Sequence, residues 1–172
     1  MKKQIIVGAV FMAISLTTLH AQDSVAVNAR ISQKFNELYP EATHARWSVL
    51  RNQAASVTFR RSSTGCLAIF DRSGNLIASG RRLRSVNDLP LQAQSGLHDQ
   101  QKHAERKLGA LTLAHIYEML KGEATTYYVT MENAVASIVI SLSPGGNGRI
   151  ESKKIKPSMP QITPENPIAK KN

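Results

Sequence analysis

The sequence predicts an α+β fold in which two helices pack on one face of an antiparallel sheet of about seven to eight strands. Apolar residues recur at helical spacing in two segments. Each segment is followed by short alternating or apolar runs, separated by turn residues, which is typical of a strand meander. The second half weakly repeats the first, so we expect two similar halves, each a helix followed by three or four strands.

The first predicted helix covers residues 24–39. Its apolar stripe consists of Val27, Ile31, Phe35 and Leu38. Ser24 is a suitable N-cap, and Pro40 should end the helix because it disfavours the α conformation at the preceding residue.

Four strands are predicted next, at residues 43–51, 55–61, 66–70 and 76–86. The third is an almost continuous apolar run and should be central. We expect Gly65 to take a positive φ in the turn before it. Asp71 and Gly74 are residues favoured in a hairpin turn between the last two strands.

The second predicted helix begins near Asp88, a possible N-cap, and Pro90, which suits a first turn. It should run to about His103. Its apolar stripe is thin, so the helix should lie on the surface of the sheet. The stripe consists of Leu91, Ala93, Leu97 and Ala104.

Residues 108–120 fit two patterns. As a helix, the segment would place Leu111, His115 and Met119 on one face. As a strand, it would align Leu111, Leu113, His115 and Tyr117 on one face. Clear strands follow at residues 125–131 and 136–142, and this context favours a strand here too.

The two ends of the chain differ from its middle. Lys2 and Lys3, an apolar run at residues 5–19 and the small residue Ala21 indicate a signal peptide at residues 1–21. A domain of residues 22–156 should follow, with halves at 24–86 and 87–156. Residues 157–172 are rich in proline and lysine and should be a disordered tail. The predicted protein is therefore exported, to the periplasm or beyond, with no membrane span after cleavage.

No enzymatic chemistry is predicted. Cys66 is the only cysteine and lies in an apolar strand, which favours a buried hydrophobic role over a reactive thiol. The histidines are scattered, and the glycine-rich segment at 144–148 lacks the lysine of a phosphate-binding loop. We therefore expect no catalytic residue, metal or cofactor.

Arginine is the one positive functional signal. The chain carries 22 basic and 12 acidic residues, and loss of Lys2 and Lys3 lowers its formal charge from +10 to +8. Eight arginines lie between residues 44 and 84, where Asp71 is the only acid. Strand alternation should gather some of them on the open face as an anionic binding site, although a solvated face with protected edge strands would use the same residues. The candidate binding residues are Arg46, Arg60, Arg81, Arg82 and Arg84.

The order of several short motifs resembles the PepSY-like family of exported bacterial proteins, also described as beta-lactamase-inhibitor-like. The matching residues are Phe35, Tyr39, Pro40, Ala42, Trp47, Phe59, Phe70, Asp71, Gly74, Leu89 and Pro90. The resemblance covers residues 27–156, more loosely in the second half. It implies a non-enzymatic binding or inhibitory module. The expected partner is an unidentified envelope protein, with an acidic glycan, a lipid headgroup or nucleic acid as the alternative.

Overall fold

The computed structural model describes residues 27–50 and 54–156. The predicted signal peptide at 1–21, the predicted cap Ser24 and the predicted tail at 157–172 lie outside the described residues.

Within the described ranges, eight strands form one antiparallel sheet, and their order in the sheet is their order in the chain. A helix precedes each group of four strands, and a short 3-10 turn, Val86–Asp88, leads into the second helix. The elements are α1 Ala29–Leu38, β1 Thr43–Val49, β2 Ala55–Arg61, β3 Thr64–Phe70, β4 Leu76–Leu83, α2 Leu91–Leu108, β5 Thr112–Lys121, β6 Ala124–Glu132, β7 Ala136–Leu142 and β8 Gly148–Ile155. The predicted α+β class, with its seven or eight strands and two helices, is confirmed.

Both helices pack on the same face of the sheet, which we call the helix-bearing face. Helix α1 and the sheet share one buried cluster, in which Phe35 of the helix packs with Phe59 of the sheet. Helix α2 and the sheet share a larger cluster, which contains Leu97 of the helix and Tyr127 of the sheet. Phe59 and Tyr127 belong to one row of paired residues across the sheet, so they project to the same side. The row is Phe59, Cys66, Arg81, Glu118, Tyr127 and Leu142.

Helix α1 is held by an aromatic cluster. The Phe35 ring meets the Trp47 ring edge to face at 5.2 Å and the Phe59 ring at 5.1 Å between centroids, a favoured aromatic geometry. The helix begins after Asn28, whose side chain accepts a hydrogen bond from the Arg30 backbone N–H at 3.0 Å. Leu38 is 50% exposed, so its predicted place in the buried stripe is wrong.

The junction before α2 differs from the prediction. Asp88 does not cap this helix. Its carboxylate accepts from the backbone N–H groups of Arg84 and Ser85, and with Ser85 it forms a capping box around the 3-10 turn. The helix then extends to Leu108, beyond the predicted end, and Leu91 is 82% exposed rather than part of the apolar stripe.

The ambiguous segment is mainly strand. Helix α2 ends at Leu108, and β5 begins at Thr112. The pairing with β6 shifts between Leu113 and His115, which indicates a bulge. The bulge breaks the predicted alternation, because His115 shares a face with Tyr117 while Leu113 does not.

Two other local predictions need correction. Gly65 lies within β3, and the positive φ of that turn belongs to Ser62, at 55°. Strand β4 ends at Leu83 and not at Val86. In β1, His44 has a φ of 54° where the pairing shifts between Thr43 and Arg46, so the alternation predicted for this strand holds only in its second part.

Helix α2 contacts the turn between β7 and β8 through glycine. A methyl group at Gly96 would overlap the backbone carbonyl of Gly146, and one at Gly146 would overlap the carbonyl oxygen of Gln92. Gly146 also has a φ of 87°. The absence of side chains at both positions therefore allows helix and turn to touch backbone to backbone.

We expect Gly96→Ala to destabilise the protein by roughly 1–3 kcal/mol, the usual result of overpacking. Intrinsic helix propensity alone would give the opposite sign, a gain of about 1 kcal/mol. Urea unfolding measures the difference, and Ser95→Ala, at an exposed neighbouring position of the same helix, is the control. A variant as stable as the parent would contradict the close contact.

Asp71 organises the turn between β3 and β4. Its carboxylate accepts from the Asn75 side chain at 3.0 Å, from the Asn75 backbone N–H at 2.9 Å and from the Ser73 N–H at 2.8 Å. These hydrogen bonds, that of the Asn75 side chain foremost, lower the pKa of Asp71. The predicted role of Asp71 as a turn residue is confirmed.

Replacing Asp71 with alanine should lower the unfolding free energy at neutral pH by about 0.5–1 kcal/mol, because the turn is exposed. A carboxyl group whose pKa is lower in the folded state than in the unfolded state stabilises the fold at pH values above its unfolded-state pKa. This contribution is lost as the pH falls through the folded-state pKa. The stability gap between parent and Asp71→Ala should therefore close in acid. A gap that is constant from pH 7 to pH 2 would show that the ionised carboxylate is not responsible.

Candidate binding surface

The face opposite the helices, which we call the helix-free face, has an apolar centre. Six buried residues form it, and Leu50, Ile77 and Tyr117 pack against it. The six buried residues come from strands β3 to β7, so the cluster crosses the middle of the sheet. The six are Leu67, Ile69, Ala78, Met119, Tyr128 and Val139.

The structure places three of the five predicted arginines on this face. Arg46 pairs with Thr58, which in turn pairs with Leu67 of the apolar centre. Arg60 lies two residues further along β2, and Arg82 pairs with Tyr117. All three arginines are exposed, and none forms an ion pair with a carboxylate in the described part of the chain. Arg82 donates from a terminal nitrogen to the backbone carbonyl of Ala114 at 3.4 Å.

The other two arginines are elsewhere. Arg81 is on the helix-bearing face, where its Nε donates to Glu118 Oε2 at 2.6 Å. Arg84 follows the end of β4, and its backbone N–H donates to Asp88 at 2.9 Å. The predicted set of five is therefore divided between the two faces and the strand end.

A glycine separates two of the arginines on the helix-free face. Arg60 pairs with Gly65, and a Cβ built at Gly65 would meet the Cβ of Arg82 at 3.6 Å. Two strand spacings put the Arg60 and Arg82 backbones roughly 10 Å apart. Because Gly65 has no side chain between them, both guanidinium groups can reach one carboxylate or phosphate.

Tyrosines continue this row towards β8. Across the sheet, Arg82 of β4 pairs with Tyr117 of β5, and Tyr117 pairs with Tyr128 of β6. Tyr128 pairs with Ser141 of β7, which pairs with Arg149 of β8. Burial raises the pKa of both tyrosines, so their phenols stay protonated and can donate hydrogen bonds. Sequence reasoning missed them, because only the pairing register shows that they share a row with Arg82.

The charges at the far end of the row are balanced. Glu151 Oε1 accepts from Arg149 Nε at 2.7 Å and from Ser141 Oγ at 2.7 Å. His115 lies on the same face, and its pKa is lowered by burial first and by the nearby Arg82 second. His115 is therefore mainly neutral at neutral pH, and the arginines of this face that lack a carboxylate partner among the described residues lie on β1, β2 and β4.

The described residues contain no cluster of three or more histidine, cysteine or acidic side chains able to hold a metal ion. Cys66 is half-buried on the helix-bearing face, and burial raises the pKa of its thiol. It is less buried than the sequence suggests.

No helix in the described ranges is both long enough and apolar enough to cross a membrane.

Comparison with known proteins identifies relatives in fold only. No family model matches the chain, and no curated protein matches it. Among solved structures, a BLIP-like protein from Bacteroides fragilis has a TM-score of 0.53 at 17% identity, over 82% of this chain and 94% of that one. The protein has a BLIP-like fold.

Two further structures support this fold. A candidate periplasmic protein from Bacteroides eggerthii has a TM-score of 0.59 at 10% identity, over 76% of this chain and 90% of that one. A DUF2874 family protein from Bacteroides uniformis has a TM-score of 0.57 at 13% identity, with the same coverage. The sequence-based resemblance to beta-lactamase-inhibitor-like proteins is confirmed at the level of fold, and membership of the PepSY-like family stays a prediction.

Proposed function

We propose that the protein is an exported, non-enzymatic binding module that recognises an envelope protein through its helix-free face, with an inhibitory or regulatory effect. The observation that carries the proposal is a set of exposed arginines beside an apolar and aromatic centre, none with a carboxylate partner among the described residues: Arg46, Arg60 and Arg82. The predicted signal peptide and the likeness to a candidate periplasmic protein support export. The name of the BLIP-like neighbour is consistent with a binding role.

The composition of this face suits recognition of a protein. Arginine and tyrosine are the residues that most often dominate the binding energy of protein interfaces. Here Arg82 and Tyr117 are paired across β4 and β5, so a partner would meet both at once. The sheet backbone holds them in place before binding, which reduces the entropy lost on association.

The charge of the face defines the partner surface. Because Arg46, Arg60 and Arg82 have no carboxylate partner among the described residues, a partner that offers carboxylates would supply charge-assisted hydrogen bonds to them. The same positive charge would accelerate encounter with an acidic partner at low ionic strength.

Affinity capture from envelope extract tests the proposal when three proteins are compared. The first is the parent, the second is Arg60→Glu with Arg82→Glu, and the third is Arg72→Glu with Lys102→Glu, which changes the net charge equally at exposed sites away from the face. We expect parent and control to retain the same protein in stoichiometric amount, and the face variant to lose about tenfold or more in affinity. Equal retention by the two variants, or no stoichiometric partner for the parent, would overturn the proposal.

A second candidate is an anionic polymer or headgroup: an acidic glycan, a lipid headgroup or nucleic acid. Arg60 and Arg82 lie on either side of Gly65, which has no side chain to separate them, and this favours it. This binding should weaken steeply with salt, because exposed charges are screened.

Heparin chromatography tests this second candidate. Arg60→Glu with Arg82→Glu should elute at clearly lower salt than Arg72→Glu with Lys102→Glu, despite the equal charge. Elution that depends only on net charge would exclude a defined anion site, as would the absence of retention.

A further inference from the structure

The helix-bearing face contains a groove that neither helix fills. Helix α1 packs over β2 and β3, and helix α2 packs over the second half of the sheet. A pocket of about 350 Å³ lies between these clusters, on β2 to β5. Its walls include Tyr39, Phe59, Arg61, Cys66, Arg81 and Leu120.

Part of the pocket wall is apolar. Phe59 and Leu120 both line the pocket, and Phe59 is buried while Leu120 is 47% exposed. Tyr39, at the end of α1, is half-buried beside Phe59, with ring centroids 4.8 Å apart. A hydrocarbon group placed here would remove Leu120 from water, which is favourable by about 25 cal/mol per Å² of apolar area.

Two guanidinium groups accompany this apolar surface. Arg61 and Arg81 both line the pocket, and both act electrostatically on the Cys66 thiol. Glu118 binds Arg81 through Nε, and an arginine has four further N–H donors on its two terminal nitrogens. The pocket therefore holds two positive charges and one negative charge that is already paired.

The remaining partner of Arg61 is weak. Its Nε lies 3.7 Å from Glu41 Oε2, and the two side chains are 66% and 75% exposed. Exposed pairs of this kind contribute little, about 0–1 kcal/mol. Arg61 can therefore turn to another carboxylate at small cost.

We propose that this groove binds a small amphipathic carboxylate. The hydrocarbon part lies against Phe59 and Leu120, and the carboxylate meets Arg61 and the terminal nitrogens of Arg81. The volume is at the lower end of small-molecule sites, roughly 300–1,000 Å³. The site is on the face opposite Arg60 and Arg82, so ligand binding in this groove can be tested independently of the proposed partner surface.

Calorimetric titration of the whole exported chain with octanoate tests the proposal. We expect saturable binding of one octanoate, and no binding of acetate, which lacks the chain, or of octyltrimethylammonium, which carries the opposite charge. Equal binding of the ammonium compound would show non-specific apolar association and overturn the proposal, as would no binding of octanoate.

Neighbouring residues of β2 supply matched variants. Arg61→Gln should weaken octanoate binding about tenfold, the effect of losing one charge-assisted hydrogen bond. Arg60→Gln removes the same charge one residue away on the other face and should leave the affinity unchanged. The reverse order, or equal losses, would place the ligand elsewhere.

Cys66 reports the position of the ligand, because it lines the groove and is the only cysteine. Saturating octanoate should slow its alkylation by iodoacetamide about tenfold, with the same midpoint as the calorimetric titration. Alkylation that is unaffected at saturation would overturn the assignment to this groove.

Discussion

Backbone pairing between β4 and β5 is the constraint on which the rest of the structure depends. This pair joins the first group of four strands to the second and makes one continuous sheet. Because side chains alternate along a strand, its register sets which residues of the two halves share a face. A shift of one residue would move Arg82 away from Tyr117 and would put the two helix-packed clusters on opposite sides of the sheet.

Adjacent arginines show the consequence most clearly. Arg60 and Arg61 are neighbours in β2, as Arg81 and Arg82 are in β4, yet each pair is split between the two faces. On the helix-bearing face Arg81 is held by Glu118, whereas Arg60 and Arg82 have no carboxylate partner among the described residues. One basic stretch of sequence thus produces two surfaces of different chemistry.

Small residues determine how closely the parts of the molecule approach one another. Gly65 lets the Arg82 side chain lie over the backbone of β3, and Gly96 with Gly146 brings a helix backbone against a turn. In both cases the missing side chain allows the close approach, and at Gly146 the positive φ of 87° is a second reason for glycine. From sequence alone, a glycine most readily indicates a turn. That Gly65 and Gly96 are sites of close contact can be recognised only when the residue on the other side of the contact is known.

Most of the fold could be predicted from local patterns. The helix before Pro40, the hairpin at Asp71 and the strand class of most segments follow from propensity, turn chemistry and periodicity. The errors concern helix ends and caps, the residue with positive φ in one turn, and the alternation in the two strands that contain bulges. Asp88 caps a 3-10 turn together with Ser85, a pairing that our prediction of Asp88 as the cap of α2 missed, and Leu91 lies outside the packed stripe at the start of its helix.

The sequence by itself determined the α+β class and the density of arginine between residues 44 and 84, because these depend on composition and on neighbours along the chain. Only the tertiary structure decided that Arg46, Arg60 and Arg82 share a face with Tyr117 and Tyr128. That grouping depends on interstrand register, which the bulges near His44 and His115 shift by whole residues. A bulge reverses the alternation beyond it and has no local signature strong enough to be recognised from sequence.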